Sequence, residues 1–199
     1  MKTLIITGFE PFGGETVNPS WEAVRLLPDQ VGNWAVTKLQ IPVVYGLAGE
    51  RVLEEADRIQ PDAILCIGQA GGRAGVTPEA VGLNLRDARI PDNNGNQPVA
   101  QPIVKDGPVA YFTTVPIRAM VHAMTNAELT ASLSLSAGSF VCNDVLYTLL
   151  HHYAGTSTRV GFIHVPFLPE QAKDRVPSMK LEDMVKALLL CIDVLDEKA

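Results

Sequence analysis

Short apolar runs separated by glycine and proline dominate the chain and predict β-strands. Four of these runs are rich in β-branched or aliphatic residues and stop at turn-forming residues, as buried strands do. They cover residues 3–7, 35–41, 63–67 and 159–164. The third run is continuously apolar, which is typical of a strand covered on both faces of its sheet.

Apolar residues recur at one-turn spacing between these runs and predict helices. Asn18 and Pro19 mark one helix start, because Asn caps a first turn and Pro fits its first position, and Pro28 marks the end. Further helices are predicted over residues 46–60, 116–127 and 181–195 and after Cys142. In the first of these we expect an inward face of Leu47, Val52, Leu53, Ala56 and Ile59. Alternation of strands and helices predicts an α/β layer architecture with a mainly parallel central sheet.

Two segments with alternating polarity are less regular. Residues 133–136 alternate leucine and serine, which predicts a strand leading towards Cys142. Residues 77–85 place Glu79 on the same parity as three aliphatic residues, so that its carboxylate would point inward. A buried carboxylate needs a partner, so the alternative, a solvent-facing Glu79 in a loop, stays open.

Composition narrows the class of protein. The 199 residues suit a single domain, and a hydrophobic fraction of 47% argues for a packed core. Sixteen basic against 22 acidic residues give a net charge of −6, with no basic run, which argues against nucleic acid and anionic membranes as partners. No segment resembles a leader or a membrane span, and the chain reads as cytoplasmic.

Three cysteines stand far apart in the chain, at positions 66, 142 and 191. Their number and spacing fit reduced thiols and no metal site, so neither a metal nor another cofactor is expected. Cys66 and Cys191 fall on apolar strand and helix patterns and are expected in the core. Cys142 instead follows an extended segment and begins a helix.

Cys142 is the candidate nucleophile. Free N–H groups and the dipole at a helix N-terminus favour an anion, which predicts an easily ionised thiol and a site for an oxyanion. The alternative is that Cys142 is a small buried hydrophobe, as most free cysteines are.

A base and an orienting acid would complete such a site. His164 ends a predicted strand, and functional groups of α/β proteins gather at the carboxyl ends of strands. With Glu79 it makes the order Glu, Cys, His feasible, although a structural histidine is an equally good interpretation. Phe9 and Phe12 lie in a predicted loop and either anchor it or contact a ligand.

Other loops allow a different class of function. Glycines at 13–14 and 68–75 could support a small-molecule or nucleotide-binding module, although neither run matches a phosphate-binding motif. A long polar segment starts at Arg89 and runs to Gly107, which suggests a flap or binding loop over residues 93–107.

Five blocks of sequence carry a family resemblance, and they occur in the family's order. They are residues 8–14 with 18–20, 68–73, 87–93, 138–143 and 162–166. On these blocks the chain resembles the pyroglutamyl peptidase I family, the pyrrolidone-carboxyl peptidases, over residues 5 to 171. The resemblance implies a cysteine exopeptidase that removes N-terminal pyroglutamate from peptides. It also implies a single-domain three-layer α/β/α sandwich around a twisted, mainly parallel mixed sheet, in a homo-oligomer, often a homotetramer.

The resemblance also assigns roles by position. Cys142 matches the family's nucleophile, His164 its base and Glu79 its acidic residue, and Arg89 matches a position associated with the oxyanion. The positions that match the pocket around the pyrrolidone ring are Phe9, Phe12, Gln69, Ile90, Phe140 and Val141. An uncharged lactam suits such an apolar slot with a few polar groups. The remaining rival keeps the cysteine chemistry but takes a different amide as substrate.

The chain departs from the family pattern at two places. Glu79 is followed by Ala80, Val81 and Gly82, where the family usually has Arg, Val and Ala, which bears on how firmly Glu79 is held. Asp144 stands where a His is usual, and its carboxylate would oppose a thiolate if it faced the site.

Overall fold

The fold is known from a computed structural model, which describes residues 1–172 and 176–198. The strands are β1 (Lys2–Phe9), β2 (Gln30–Val31), β3 (Trp34–Ile41), β4 (Ala63–Gln69), β5 (Thr77–Pro78), β6 (Val81–Leu83), β7 (Ala110–Phe112) and β8 (Arg159–Val165). The helices are α1 (Pro19–Arg25), α2 (Leu47–Ile59), α3 (Ile117–Asn126), α4 (Val141–His152) and α5 (Leu181–Asp193). All four strands and all five helices predicted from apolar runs and periodicity are confirmed.

Six strands form one mixed sheet in the order β2-β3-β1-β4-β8-β5. Its centre is parallel, because β1 pairs with β3 and β4, and β4 pairs with β8, all in parallel register. The short edge strands β2 and β5 are antiparallel to their neighbours. β6 and β7 pair separately as a two-stranded antiparallel ribbon. The carboxyl ends of β1, β4 and β8 therefore lie side by side, which is where α/β proteins place their sites.

Helices cover both faces of the sheet, as the sequence predicts. Side chains alternate across a strand, so Leu4 and Ile6 pack with α1, α3 and α5, while Ile5 and Phe9 pack with α2 and α4. Two separate apolar cores result, one on each face of the sheet. This arrangement is the three-layer α/β/α sandwich. No helix in the described part of the chain is both long and apolar enough to cross a membrane.

Two predictions of local structure are wrong. Residues 133–136 do not form a strand; Ser134 makes a single bridge to Glu79, and Leu135 is 73% exposed. The alternation there has no neighbouring strand long enough to pair with. Leu47 is also exposed, because the buried stripe of α2 follows Ala48, Val52 and Ala56, about 100° around the helix axis from it.

Residues 77–85 contain two short strands, with Glu79 between β5 and β6. Glu79 donates its backbone N–H to the Phe162 carbonyl of β8 at 2.9 Å, and its side chain is fully buried. The inward orientation suggested by parity is therefore the one observed, and the solvent-facing alternative is wrong.

Candidate active site

A cavity of about 480 Å³ opens at the carboxyl ends of β1, β4 and β8. Of the ten site residues predicted from the sequence, nine line it, and the tenth, Glu79, lies behind His164. The lining consists of Phe9, Phe12, Asn18, Val43, Gln69, Ala70, Gly71, Arg73, Asp87, Arg89, Ile90, Ala137, Gly138, Ser139, Phe140, Val141, Cys142 and His164. None of residues 93–107 is in this set, so the predicted flap or binding loop does not line the cavity; Arg89 and Ile90, at the start of the polar segment, do.

Cys142 enters the cavity from the first turn of α4. Phe140 is the extended residue before the helix, and Cys142 is the second residue within it, as the sequence predicts. Cys142 is partly exposed, whereas Cys66 and Cys191 are fully buried. The thiol therefore faces the cavity and is not a core residue. First-turn N–H groups of a helix lack acceptors within the helix, which places free donors beside it.

The expectation of an easily ionised thiol is wrong. Burial raises the pKa of Cys142 to about 12, and the nearby Glu79 carboxylate adds to the rise. The Arg73 cation and the helix N–H lower the pKa, but not enough to offset burial. Cys142 is therefore a neutral thiol around pH 7 and needs a base to become a nucleophile.

His164 is the penultimate residue of β8 and lies beside Gly68 of β4 in the sheet register. Its Nδ1 is 2.6 Å from Oε1 of Glu79, and both side chains are buried. Burial lowers the pKa of His164, and the Glu79 carboxylate only partly restores it. A neutral imidazole whose Nδ1–H donates to Glu79 leaves Nε2 as the proton acceptor. The pair is thus arranged as a base with an orienting acid.

Glu79 is held ionised by its neighbours. Burial by itself raises the pKa of Glu79, but hydrogen bonding to His164 and the Arg73 charge lower it below its usual value. Nη1 of Arg73 lies 2.6 Å from Oε1. The sequence prediction required a partner for a buried Glu79 but did not name Arg73. The sequence feature that could have indicated Arg73 is its position as the one cationic residue of the glycine-rich run at 68–75, six residues before Glu79.

The residues that depart from the family pattern after Glu79 lie in close-packed surroundings. Ala80 is buried and bonds the Ser134 carbonyl, and a Cβ on Gly82 would approach the Tyr147 backbone of α4 to 3.2 Å. Glu79 is held without the missing arginine.

The Asp144 carboxylate is fully buried and faces away from the cavity. It accepts hydrogen bonds from Nε of Arg86 at 2.5 Å and from the Gly46 N–H at 2.7 Å. Its charge is therefore paired, and it does not oppose the thiol.

Aromatic side chains form one wall of the cavity. Phe9 is the buried last residue of β1 and not a loop residue, and its ring packs against Phe162. Phe12 lies in the following loop, with its ring centroid 6.3 Å from that of Phe140. Tyr45, which the sequence did not indicate, packs edge-on against Phe140 at 5.5 Å and donates its hydroxyl to the Ser139 carbonyl. It supports the wall from behind.

Polar groups complete the cavity. Oε1 of Gln69 accepts from Nε2 of Gln171 at 3.3 Å, which orients the Gln69 amide. Arg89 is exposed at the rim, and Ile90 beside it is 47% exposed. Within residues 1–172 and 176–198, no three His, Cys, Asp or Glu side chains cluster as a metal site would require.

Comparison with known proteins identifies the family. The family model for pyroglutamyl peptidase matches residues 1–198. Pyrrolidone-carboxylate peptidase of Enterococcus faecalis is 48% identical over 194 residues, which cover 96% of this chain and 91% of the relative. That of Yersinia pestis is 49% identical over 199 residues, covering 98% and 93%.

Solved structures agree with these relatives. The crystal structure of Bacillus amyloliquefaciens pyroglutamyl peptidase I matches with a TM-score of 0.94 and 44% identity, over 98% of this chain and 97% of that one. Pyrrolidone carboxyl peptidase from Thermococcus litoralis matches with a TM-score of 0.94 and 36% identity, over 98% and 93%. Together with the whole-length family match, these similarities show that the chain belongs to the pyroglutamyl peptidase family of cysteine peptidases.

Proposed function

We propose that the protein is a cysteine exopeptidase that hydrolyses the amide bond after an N-terminal pyroglutamyl residue. The observation that carries the proposal is the meeting of Cys142 and His164 at one aromatic-lined cavity, with Glu79 bonded to the far side of the imidazole. Covalent acyl transfer needs such a nucleophile, base and orienting group.

The cavity suits the uncharged lactam of pyroglutamate. Phe9, Phe12 and Phe140 offer apolar surface for the ring, and the Gln69 amide offers hydrogen bonding to it. An ordinary peptide N-terminus carries an ammonium group, which a site would bind with carboxylates. Here the lining carries a single carboxylate, against the two cations of the arginines. The charge balance therefore disfavours a free N-terminus.

Acylation begins from a neutral thiol and a neutral imidazole. Nε2 of His164 takes the thiol proton as the Cys142 sulfur bonds to the pyroglutamyl carbonyl carbon, and Glu79 stabilises the imidazolium that forms. The carbonyl oxygen becomes an oxyanion, which the first-turn N–H of Cys142 and the Arg89 guanidinium stabilise. The C–N bond then breaks as His164 returns its proton to the departing amine.

Deacylation uses the same base. His164 removes a proton from water, and the hydroxide oxygen bonds to the acyl carbon. The C–S bond then breaks to release pyroglutamate, and His164 returns its proton to the Cys142 sulfur, which restores the thiol and the neutral imidazole.

Release of a fluorophore from a pyroglutamyl amide tests the proposal. Cys142→Ala is expected to abolish turnover without unfolding, and the matched control Cys191→Ala, in the α5 core, is expected to retain it. Near-normal turnover by Cys142→Ala would overturn the mechanism. Preference for prolyl or free N-terminal amides over the pyroglutamyl amide would instead retain the cysteine chemistry and reject the substrate.

Three further properties belong to the same proposal. Residues 1–199 form one catalytic domain, and the chain works as a homo-oligomer, with a tetramer as the expected state. Val109, just before β7, and Phe112, its last residue, are 84% and 79% exposed, and an assembly would cover such apolar surface. Light scattering at known concentration measures the oligomeric state.

We place the protein in the cytoplasm, where its unpaired cysteines stay reduced.

A further inference from the structure

Arg73 contacts the same carboxylate oxygen that orients the histidine. Both Nη1 of Arg73 and Nδ1 of His164 lie 2.6 Å from Oε1 of Glu79. Nη1 also bonds the hydroxyl of Thr77, and Nη2 approaches the Ser136 carbonyl at 3.4 Å. The Arg73 side chain is 29% exposed and lines the cavity. The Arg73 guanidinium therefore lies between solvent and the buried Glu79, and the three acceptors hold it there.

We propose that Arg73 is a positioning residue of the Glu79–His164 pair, holding the carboxylate in place and keeping the imidazole unprotonated at the pH where the enzyme works. The inference rests on the proposed function, because it gives Arg73 a role only if His164 is the base. It assigns to the glycine-rich run at residues 68–75 a part in the chemistry rather than in nucleotide binding.

Titratable and charged groups surround the imidazole from several elements. Glu79 approaches it from the segment between β5 and β6, Cys142 from α4 and Arg73 from the loop after β4. Asp87 and Arg89 line the same cavity from the segment after β6, with exposed side chains. Solvent screens exposed charges, so the buried carboxylate and its Arg73 partner dominate.

The two dominant charges act in opposite directions. The Glu79 carboxylate raises the pKa of both His164 and Cys142, and the Arg73 cation lowers both. Arg73 also lowers the pKa of Glu79 itself. Loss of the cation therefore raises the pKa of all three groups. A more basic His164 becomes protonated, and so unable to accept the thiol proton, at a higher pH than before.

The variants Arg73→Gln and Arg73→Lys separate charge from shape. Arg73→Gln removes the cation and is expected to move the whole pH profile of kcat/KM to higher pH by about half a unit or more, and so to lower kcat/KM on the acid limb of the profile by about threefold or more. Arg73→Lys keeps the cation and is expected to return the profile towards its original position. The matched control Arg51→Gln, on the exposed side of α2, is expected to leave the profile unchanged.

Titration of His164 gives a readout independent of turnover. The imidazole signals are titrated by NMR in Cys142→Ala and in the double variant Cys142→Ala with Arg73→Gln. The His164 signal is assigned as the one that is lost in His164→Gln. We expect the pKa of His164 to be higher in the double variant. Turnover by Cys142→Ala would reject the proposed function, while the titration still decides the effect of Arg73.

Three results would overturn the inference. The first is a lowered kcat in Arg73→Gln with an unmoved pH profile and an unmoved His164 titration, which a merely structural arginine would produce. The second is a loss confined to peptide substrates and absent for small aromatic amides, which would make Arg73 a contact for the leaving group. The third is an equal shift in Arg51→Gln.

Discussion

Replacement of Arg86 by Met tests the buried ion pair below the first turn of α4. Asp144 is fully buried, and its carboxylate has two donors, Nε of Arg86 and the backbone N–H of Gly46. Arg86 also lies over the Tyr45 ring, with its guanidinium carbon 5.7 Å from the ring centroid. Met keeps much of the apolar stem but leaves the Asp144 charge with a single neutral donor.

The expected loss follows from the burial of the two partners. Removing one partner of a buried pair costs about 3–5 kcal/mol, because the remaining charge stays desolvated. The Arg86 side chain is 24% exposed, so water can partly replace it, and we expect the lower end, about 3 kcal/mol. For a chain of this length 1 kcal/mol corresponds to about 2–4 °C, so Tm should fall by roughly 6–12 °C.

Denaturant unfolding and thermal melts at one fixed protein concentration measure this loss, since assembly makes stability depend on concentration. The control is Arg51→Met, which breaks an exposed pair with Glu54 and should cost about 0–1 kcal/mol. The double variant Arg86→Met with Asp144→Asn should regain part of the stability, because the amide oxygen still accepts from Gly46 and no charge is left unpaired.

Either of two results would contradict an unpaired Asp144 charge as the cause of the lost stability. Arg86→Met could lose no more stability than Arg51→Met, which would mean that Asp144 is adequately solvated without its partner. Alternatively, the double variant could be less stable than Arg86→Met alone, which would mean that the lost stability comes from packing rather than from a stranded charge.

Three further outcomes are expected at the cavity. Gly68→Ala places a Cβ 2.8 Å from the Phe162 ring and 3.0 Å from the Cys142 sulfur and should lower kcat; unchanged kcat would show that both neighbours have room to move. Glu79→Gln should lower kcat/KM by about 100-fold to 10,000-fold with a small change in KM, measured with the pyroglutamyl amide; a change in KM alone would contradict an orienting role. Iodoacetamide should modify Cys142 and spare Cys66 and Cys191, as read by mass spectrometry. Because burial raises the pKa of Cys142, the rate should still be rising at about pH 9, and a plateau near pH 7 would refute this.

The sequence was sufficient for elements whose signal is local. The Asn18–Pro19 start of α1 is observed, with Asn18 accepting from the Ser20 N–H at 3.1 Å, because capping depends only on neighbouring residues. The apolar runs that became β1, β4 and β8 were recognisable for the same reason. Residues 133–136 have an equally good alternation but no partner strand, and pairing is a property of the whole sheet.

The residues of the candidate site also fall into those with a local sequence signal and those without one. Cys142 at the start of α4 and His164 near the end of β8 follow from local changes of pattern, and the roles of the other predicted cavity residues follow from family motifs. Arg73, Tyr45 and Gln171 were not indicated as site residues, because each acts by touching a residue brought near by folding.

By itself, the sequence determined the α/β class, the order of the elements, the family and the residues that we propose for the chemistry. Only the tertiary structure decided the protonation of those residues. Cys142 was expected to ionise easily from its place on a helix, yet its pKa is raised to about 12 by burial and by Glu79. The place of a residue in a helix depends on its neighbours in the sequence. Desolvation and nearby charges shift a pKa through space, and they come from groups that meet only when the strands assemble.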